Sequence, residues 1–223
     1  MATPPKKTLA ERMRSLFIAD PEVPPPTPPS PTFSEEWREI NWGDKESLQY
    51  VRDYKPERDD INHLRVLLYG PVGAGKSSFI NSVVSTIRGR LCVPAAASAT
   101  TARRSFTKKY ETHHSKIGKG NQGTYPIVFN DIMGLEEGET QGVRPADIKL
   151  TMEGHVKEGY MFNPIGPLSG TDPSYNKSPS LDDRVHVLVC VLSANSVEIT
   201  DSVLRKMAEI REMARDLGKI NDW

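Results

Sequence analysis

The sequence predicts an α/β protein whose mostly parallel sheet lies between two layers of helices, a three-layer sandwich. Three observations support this prediction. An apolar run at 64–69 leads through a glycine-rich turn into an amphipathic stretch that ends near Arg88. A second strand-like run, Tyr125–Asn130, is followed directly by an aspartate, and a third apolar run covers Val185–Leu192. Strand-like runs that alternate with helical patterns are typical of parallel sheets.

The turn after the first strand carries the spacing GxxxxGK[ST] of a phosphate loop. Glycines allow several backbone N–H groups to face one anion, and a helix that begins near Lys76 adds the positive end of its dipole. A lysine at this position contacts the β- and γ-phosphates, and a serine hydroxyl binds Mg²⁺. The predicted fold is therefore P-loop NTPase-like. The predicted phosphate-binding residues are Gly70, Val72, Gly73, Ala74, Gly75, Lys76, Ser77 and Ser78.

Two later segments are predicted to complete a nucleotide and Mg²⁺ site. Asp131 follows a strand, where a carboxylate beside a phosphate loop holds Mg²⁺ through water, and the N–H of Gly134 meets the γ-phosphate. Nucleotide switches place a threonine on Mg²⁺ from the loop between the phosphate-loop helix and the second strand. Thr100 and Thr101 both fit that position, and Thr101 is selected. The predicted metal ligands are Ser77, Thr101 and Asp131.

The chemistry of hydrolysis is less well specified by the sequence. Leu135 follows Gly134 where a glutamine would orient an attacking water, and Glu136 and Glu137 are the nearby alternatives. No catalytic residue is assigned, hydrolysis is expected to be slow or absent, and enzymatic activity stays open. An ATPase is a further, weaker alternative.

Composition divides the chain into three parts. Residues 1–32 are predicted to be a flexible basic and proline-rich tail, with a polyproline II spacer at Pro21–Pro31. Residues 33–60 are predicted to be a helical lead-in, with Ser34 and Asp44 as helix caps. Residues 61–223 contain the predicted phosphate-loop domain, and only the family resemblance of its motifs implies that it is a partial P-loop GTPase-like domain. Three aromatic residues of the lead-in are expected to pack against the domain edge, namely Trp37, Trp42 and Tyr50.

The remaining elements follow from local patterns. Ser105–His113 alternates as an edge strand does, and Pro145 opens a helix inside a long stretch at 138–183. The glycine- and proline-rich part of that stretch is either functional or disordered. Thr200 caps a helix with a regular apolar stripe that ends at Gly218.

Overall charge and composition exclude several classes of protein. The chain contains 29 basic residues (lysine and arginine) and 29 acidic ones (aspartate and glutamate). Without an excess of positive charge to attract nucleic acid, no nucleic-acid partner is predicted. No apolar run has the length of a membrane span and no signal-peptide core is present. The two cysteines do not form a disulfide framework, and a cytoplasmic location is expected.

The motifs together resemble the interferon-induced protein 44 / 44-like family. The resemblance runs from about Phe33 to Gly218 through GPVGAGKSSFINS at 70–82, NDIMGLEE at 130–137 and SPSLDDRVHV at 178–187. It implies a GTPase-like domain that binds GTP or GDP with Mg²⁺, a cytoplasmic location and a role in interferon-linked antiviral and immune responses. The resemblance implies an additional N-terminal domain in the mammalian members, whereas only the proline-rich tail is expected here, as in the shorter relatives.

The resemblance also implies a C-terminal truncation. GTP-type domains read guanine with an [NT]KxD-like element on a strand beyond the Thr200–Gly218 helix, and 219–223 does not provide it. Nucleotide binding is therefore expected to tolerate different bases. The Val185–Leu192 strand is expected to become an exposed edge, and this edge predicts a homodimer or a protein partner. The alternative function is a non-catalytic interaction or scaffold protein with a vestigial nucleotide site.

Overall fold

The computed structural model describes residues 45–95, 107–117, 123–194 and 199–218. The predicted tail, the helix after Ser34, Trp37, Trp42 and Thr101 lie outside these ranges. The predicted helix after Asp44 is observed. The elements in chain order are α1 (Lys45–Asp53), β1 (Leu64–Tyr69), α2 (Lys76–Arg88), β2 (Glu111–Lys116), β3 (Thr124–Asp131), α3 (Pro145–Met152), a 3₁₀ turn (Leu181–Asp183), β4 (Val187–Cys190) and α4 (Asp201–Asp216).

The four strands form one sheet in the order β2-β3-β1-β4. β1 is parallel to both β3 and β4, whereas β2 is antiparallel to β3. Leu67 at the centre of β1 lies opposite Asn130 on one side and Leu188 on the other. Because parallel strands end at the same edge of a sheet, the residues that follow β1 and β3 meet there. The predicted α/β class and the mostly parallel sheet are confirmed.

Two apolar clusters cover the two faces of the sheet and produce the three layers. On one face α2 packs Ile80 and Val84 against Leu68 and Phe129. On the other face α3 and α4 pack against Leu67, Tyr69 and Ile132. Each fully buried leucine or isoleucine stabilises the fold by about 1.5–3 kcal/mol. The two apolar clusters therefore hold the helices against the sheet and fix the position of the loops at its edge.

The stretch at 138–183 is folded, so the disordered one of its two alternatives, functional or disordered, is wrong. The backbone N–H of Tyr110 donates to the carbonyl of Tyr160 at 2.8 Å, and Gly159 donates back to Tyr110 at 2.9 Å. The Asp147 carboxylate accepts a 2.7 Å hydrogen bond from the N–H of Leu168. Burial raises the pKa of this carboxyl group. The segment is thus tied to the residues before β2 and to α3.

Three predictions about individual elements are wrong. The sequence predicts that Tyr50 packs against the domain edge. However, 71% of its surface is exposed, and none of the residues of α1 is buried. The edge strand expected at 105–113 instead begins at Glu111 and ends at Lys116, since its pairing with β3 fixes the register. The run Val185–Leu192 contributes only a four-residue strand, Val187–Cys190.

The predicted edge position of the third apolar run is confirmed within the described residues. There β4 pairs with β1 alone, and Val187 and Leu192 are exposed. None of the helices in the described ranges has the length and apolar character that crossing a bilayer requires.

Candidate phosphate-binding site

The loop between β1 and α2 is shaped by close backbone contacts that only glycine permits. Gly70 has φ 149°, and a Cβ atom there would lie 2.1 Å from the carbonyl oxygen of Val191. A Cβ atom on Gly134 would lie 2.7 Å from Cγ2 of Val72. The loop is therefore held between the residue after β4 and the segment after β3, at the carboxyl edge of the parallel strands.

Backbone N–H groups at the start of α2 are open to a ligand. Phe79 donates to the carbonyl of Gly75 at 2.8 Å, which closes the first helical turn. The N–H groups that precede it form no hydrogen bond with another described residue, as expected of the first turn of a helix. They belong to Gly73, Gly75, Lys76, Ser77 and Ser78. With the helix dipole they form a cradle for an anion.

Two of the predicted phosphate-binding residues use their N–H groups within the protein. The N–H of Val72 donates to the carbonyl of Leu135 at 3.1 Å, and that of Ala74 donates to the carbonyl of Pro71 at 3.2 Å. Leu135 in turn donates to the carbonyl of Gly70 at 3.0 Å. Val72 and Ala74 thus set the shape of the loop, and Val72 links it to the segment after β3.

The Lys76 side chain stays within the loop. Its ammonium donates to the carbonyl oxygens of Gly70 at 3.1 Å and Pro71 at 3.0 Å, and only 7% of the residue is exposed. Burial lowers the pKa of Lys76 to about 8, although the charge of Asp131 opposes this shift. Two of the three ammonium protons are used by these carbonyls, so one remains for an anion at the cradle.

Ser77 and Asp131 meet as the sequence predicts. The Ser77 hydroxyl donates to Oδ2 of Asp131 at 2.5 Å, and Asp131 is fully buried at the end of β3. Oδ1 of this carboxylate is buried without a hydrogen-bond partner. Burial raises the pKa of the Asp131 carboxyl group, and the bond from Ser77 counteracts part of that rise.

A threonine that the sequence prediction did not select approaches this pair. The hydroxyl of Thr107 lies 3.4 Å from Oδ2 of Asp131. Ser77, Thr107 and Asp131 present only oxygen atoms, which Mg²⁺ prefers, and Oδ1 of Asp131 is a buried acceptor with unused capacity. The residues present therefore fit a Mg²⁺ ion at this point. Nothing in the sequence separates Thr107 from the several other hydroxyl residues around it.

A second buried lysine fixes the segment that follows Gly134. The ammonium of Lys206 on α4 donates to the carbonyls of Glu136 at 3.0 Å, Gly138 at 2.7 Å and Gln141 at 2.8 Å. Burial lowers its pKa, and the charge of Glu136 opposes that shift. Glu136 itself is buried, whereas Glu137 is exposed. The sequence signal for Lys206 is a lysine on the apolar stripe of α4, between Val203 and Ile210.

Comparison with known proteins identifies the family. No protein-family model matches the chain. It is 37% identical to interferon-induced protein 44 of Mus musculus over 172 residues, which cover 77% of this chain. It is 34% identical to interferon-induced protein 44-like of Homo sapiens over 172 residues, again 77% of the chain. The identity to interferon-induced protein 44 of Homo sapiens is 34% over 174 residues.

The chain belongs to the interferon-induced protein 44 / 44-like family. The matched region corresponds to 37–39% of the length of these relatives, so the chain spans well under half of each of them.

Proposed function

We propose that this family member binds a nucleoside di- or triphosphate together with Mg²⁺, as a GTP-type nucleotide-binding protein of the interferon-linked immune and antiviral response in the cytoplasm. The observation that carries the proposal is the set of unpaired N–H groups at the start of α2, those of Gly73 and of residues 75–78, beside the Lys76 ammonium. Backbone donors, one cation and a helix N-terminus recognise phosphates rather than a base. Affinity should therefore depend on the phosphates more than on guanine.

Each residue of the site has a defined task in this proposal. The open N–H groups of Gly73 and of residues 75–78 bind the phosphate oxygens. The third ammonium proton of Lys76 reaches the β- and γ-phosphates. Ser77 and Asp131 hold Mg²⁺, which neutralises phosphate charge when it is bound. Gly134 presents its backbone N–H to the γ-phosphate, and its backbone lies directly against Val72 of the phosphate loop. The side chain of Leu135 cannot orient an attacking water as a glutamine would, so hydrolysis is proposed to be slow or absent.

The proposal is tested by calorimetric titration of the full chain with GDP, GTP and ADP, with and without Mg²⁺. We expect binding of all three nucleotides and a marked loss of affinity without Mg²⁺. Lys76→Ala should weaken binding roughly thirtyfold, whereas Lys149→Ala on the exposed side of α3 should leave it unchanged. An absence of binding by the unmodified chain would refute the proposal, and a strong preference for GDP over ADP would refute base tolerance.

A second candidate function is that of an interaction protein that uses the free side of β4. Its support is the exposure of Val187 on β4 and of Leu192 just after it, since β4 pairs with β1 alone in the described part of the chain. An apolar strand edge favours pairing with another chain, and a second copy is the simplest partner. Analytical ultracentrifugation should show a dimer that Leu192→Lys dissociates and Lys76→Ala does not. A stable monomer with a sharp thermal transition would refute it.

A further inference from the structure

A cleft at the opposite end of α2 from the phosphate loop gathers positive charge. It has a volume of about 600 Å³, and it lies where the ends of α1 and α2 meet the start of β3. Since α2 has 13 residues at about 1.5 Å rise each, its two ends are about 18 Å apart. We name this site the cationic cleft. It is lined by Arg52, Arg88, Arg90 and Lys116, with Gln49, Asp53, Ile87, Ile117 and Tyr125.

The cations of the cleft are not neutralised by their surroundings. None of its four basic side chains forms an ion pair or a side-chain hydrogen bond with another described residue. The only carboxylate in the lining, Asp53, accepts from the Gln49 amide at 2.9 Å and 2.8 Å, and one carboxylate against four basic side chains leaves the lining with an excess of positive charge. Like charges gathered around one cavity repel each other, and an anionic ligand relieves that repulsion.

The size and walls of the cleft suit a compact polyanion. Its volume falls within the range of about 300–1,000 Å³ found for small-molecule sites. Ile87 and Tyr125 form a buried apolar floor, and the Tyr125 hydroxyl donates to the carbonyl of Ile87 at 3.4 Å. Arginine is the side chain best suited to bind phosphate, because its planar fork donates two parallel hydrogen bonds. The shared chemistry of the ligand is therefore a set of closely spaced phosphate groups.

Exposed apolar side chains beside the cleft indicate a membrane source for those phosphates. Leu91 is 85% exposed and Val93 is 67% exposed, directly after Arg90 in the chain. Cys92 between them is buried, and its N–H donates to the Ser85 hydroxyl at 2.9 Å, which keeps the two flanking side chains directed outward. Cations next to exposed apolar side chains are the pattern of proteins that lie at a lipid interface.

We propose that the cationic cleft binds the phosphorylated headgroup of an anionic membrane lipid while Leu91 and Val93 contact the bilayer interface. The equal numbers of acidic and basic residues, 29 each, mean that the attraction is local to the cleft rather than a property of the whole chain. The proposal does not depend on nucleotide binding.

The test is co-sedimentation of the full chain with three kinds of vesicle. These contain phosphatidylcholine alone, phosphatidylcholine with phosphatidylinositol bisphosphate, or phosphatidylcholine with enough phosphatidylserine to match the negative charge of the second. We expect binding to the bisphosphate vesicles to exceed binding to the charge-matched ones. Arg52→Ala with Arg90→Ala should weaken it about thirtyfold, at roughly 1 kcal/mol per basic residue.

A matched double variant controls for loss of charge. Arg205 and Arg215 on α4 are also exposed arginines, and replacing both with alanine should leave vesicle binding unchanged. Both double variants keep residues 1–44, so any contribution from that stretch cancels. Since all four arginines are exposed, circular dichroism should show the same thermal transition in each protein.

A third variant distinguishes the lipid from a free polyphosphate. Leu91→Ser with Val93→Ser should weaken vesicle binding but leave calorimetric binding of inositol hexakisphosphate unchanged. Equal binding to phosphatidylserine vesicles, or equal loss in the α4 control, would overturn the proposal. Binding of inositol hexakisphosphate or of an RNA oligonucleotide without any binding to vesicles would also overturn it.

Discussion

One buried lysine, Lys76, lies in the phosphate loop and a second, Lys206, contacts the segment after Gly134, and they differ in how completely their protons are used. Lys206 donates to three carbonyls, so every proton of its ammonium has a partner. Lys76 donates to two, and unpaired backbone N–H groups surround it. A saturated cation stabilises structure, whereas an unsaturated one beside open donors has capacity for a ligand.

The carbonyls that the two lysines contact differ in the same way. The Gly70 carbonyl also accepts from Leu135, and that of Pro71 also accepts from Ala74. The carbonyls of Gly138 and Gln141 have no other donor among the described residues. Removal of Lys76 therefore leaves paired carbonyls, while removal of Lys206 leaves unpaired ones. In the proposed nucleotide site the first lysine serves binding, while the second holds the segment after Gly134.

The largest expected effect is on stability when Lys206 is replaced. Lys206→Met should lower the free energy of unfolding by about 3 kcal/mol, because three hydrogen bonds from a charged donor are lost and one of them reaches a buried carbonyl. Chemical denaturation measures the change. The control is Lys149→Met on the exposed side of α3, which should change stability by no more than about 0.5 kcal/mol. Equal denaturation midpoints in both variants would remove the basis of the comparison.

Replacement of Lys76 should give the opposite pattern. Lys76→Met should weaken binding of Mg²⁺–GDP by about 2 kcal/mol, or roughly thirtyfold, as expected for hydrogen bonds to a charged group. Its free energy of unfolding should be unchanged or higher, since a buried charge is removed and both carbonyls keep other donors. Calorimetry and chemical denaturation on the same preparation test both statements. A loss of stability as large as that in Lys206→Met would contradict them.

The pH dependence sharpens the comparison at Lys76. Its pKa is about 8 in the folded protein, below the value of 10.5 for an ordinary lysine. The unfolded chain therefore binds more protons between these values, and this residue contributes stability that rises with pH across that window. Nucleotide affinity should fall above pH 8 by up to about tenfold per pH unit, because phosphate binding requires the charged ammonium.

Titration of nucleotide at several pH values, with thermal unfolding in parallel, measures both slopes. Lys76→Met should remove both of them. An affinity that stays constant above pH 8 in the unmodified protein, or slopes that persist in Lys76→Met, would show that another group is responsible.

The same contrast explains which features the sequence could predict. The phosphate loop and its strand and helix are contiguous, so Gly70, Lys76 and Ser77 were identified by spacing alone. The position of Asp131 followed from the rule that parallel strands end at one edge. Lys206 contacts Glu136, which is 70 positions away in the sequence, and Thr107 contacts Asp131, which is 24 positions away. A local sequence pattern does not indicate such long-range contacts.

The failed predictions have a related cause. The short polar strand β2 takes its register from β3, and its own alternation fits more than one register. Tyr50 lies on a helix without any buried residue, so an aromatic side chain there did not indicate a core position. The propensity of the local sequence was correct in both cases, and tertiary contacts decided the outcome.

The smallest expected effect concerns the threonine that approaches Ser77 and Asp131. Thr107→Val should reduce the Mg²⁺-dependent part of GDP affinity by about 1 kcal/mol, the typical worth of one hydrogen bond, and leave affinity without Mg²⁺ unchanged.

The control is Thr86→Val, which removes an exposed hydroxyl that donates to the carbonyl of Ser82 within α2. Thr101→Val provides the comparison with the residue that the sequence favours. A larger loss in Thr101→Val than in Thr107→Val would assign the switch threonine to position 101. Equal effects in Thr107→Val and Thr86→Val would show that the 3.4 Å approach to Asp131 has no role in metal binding.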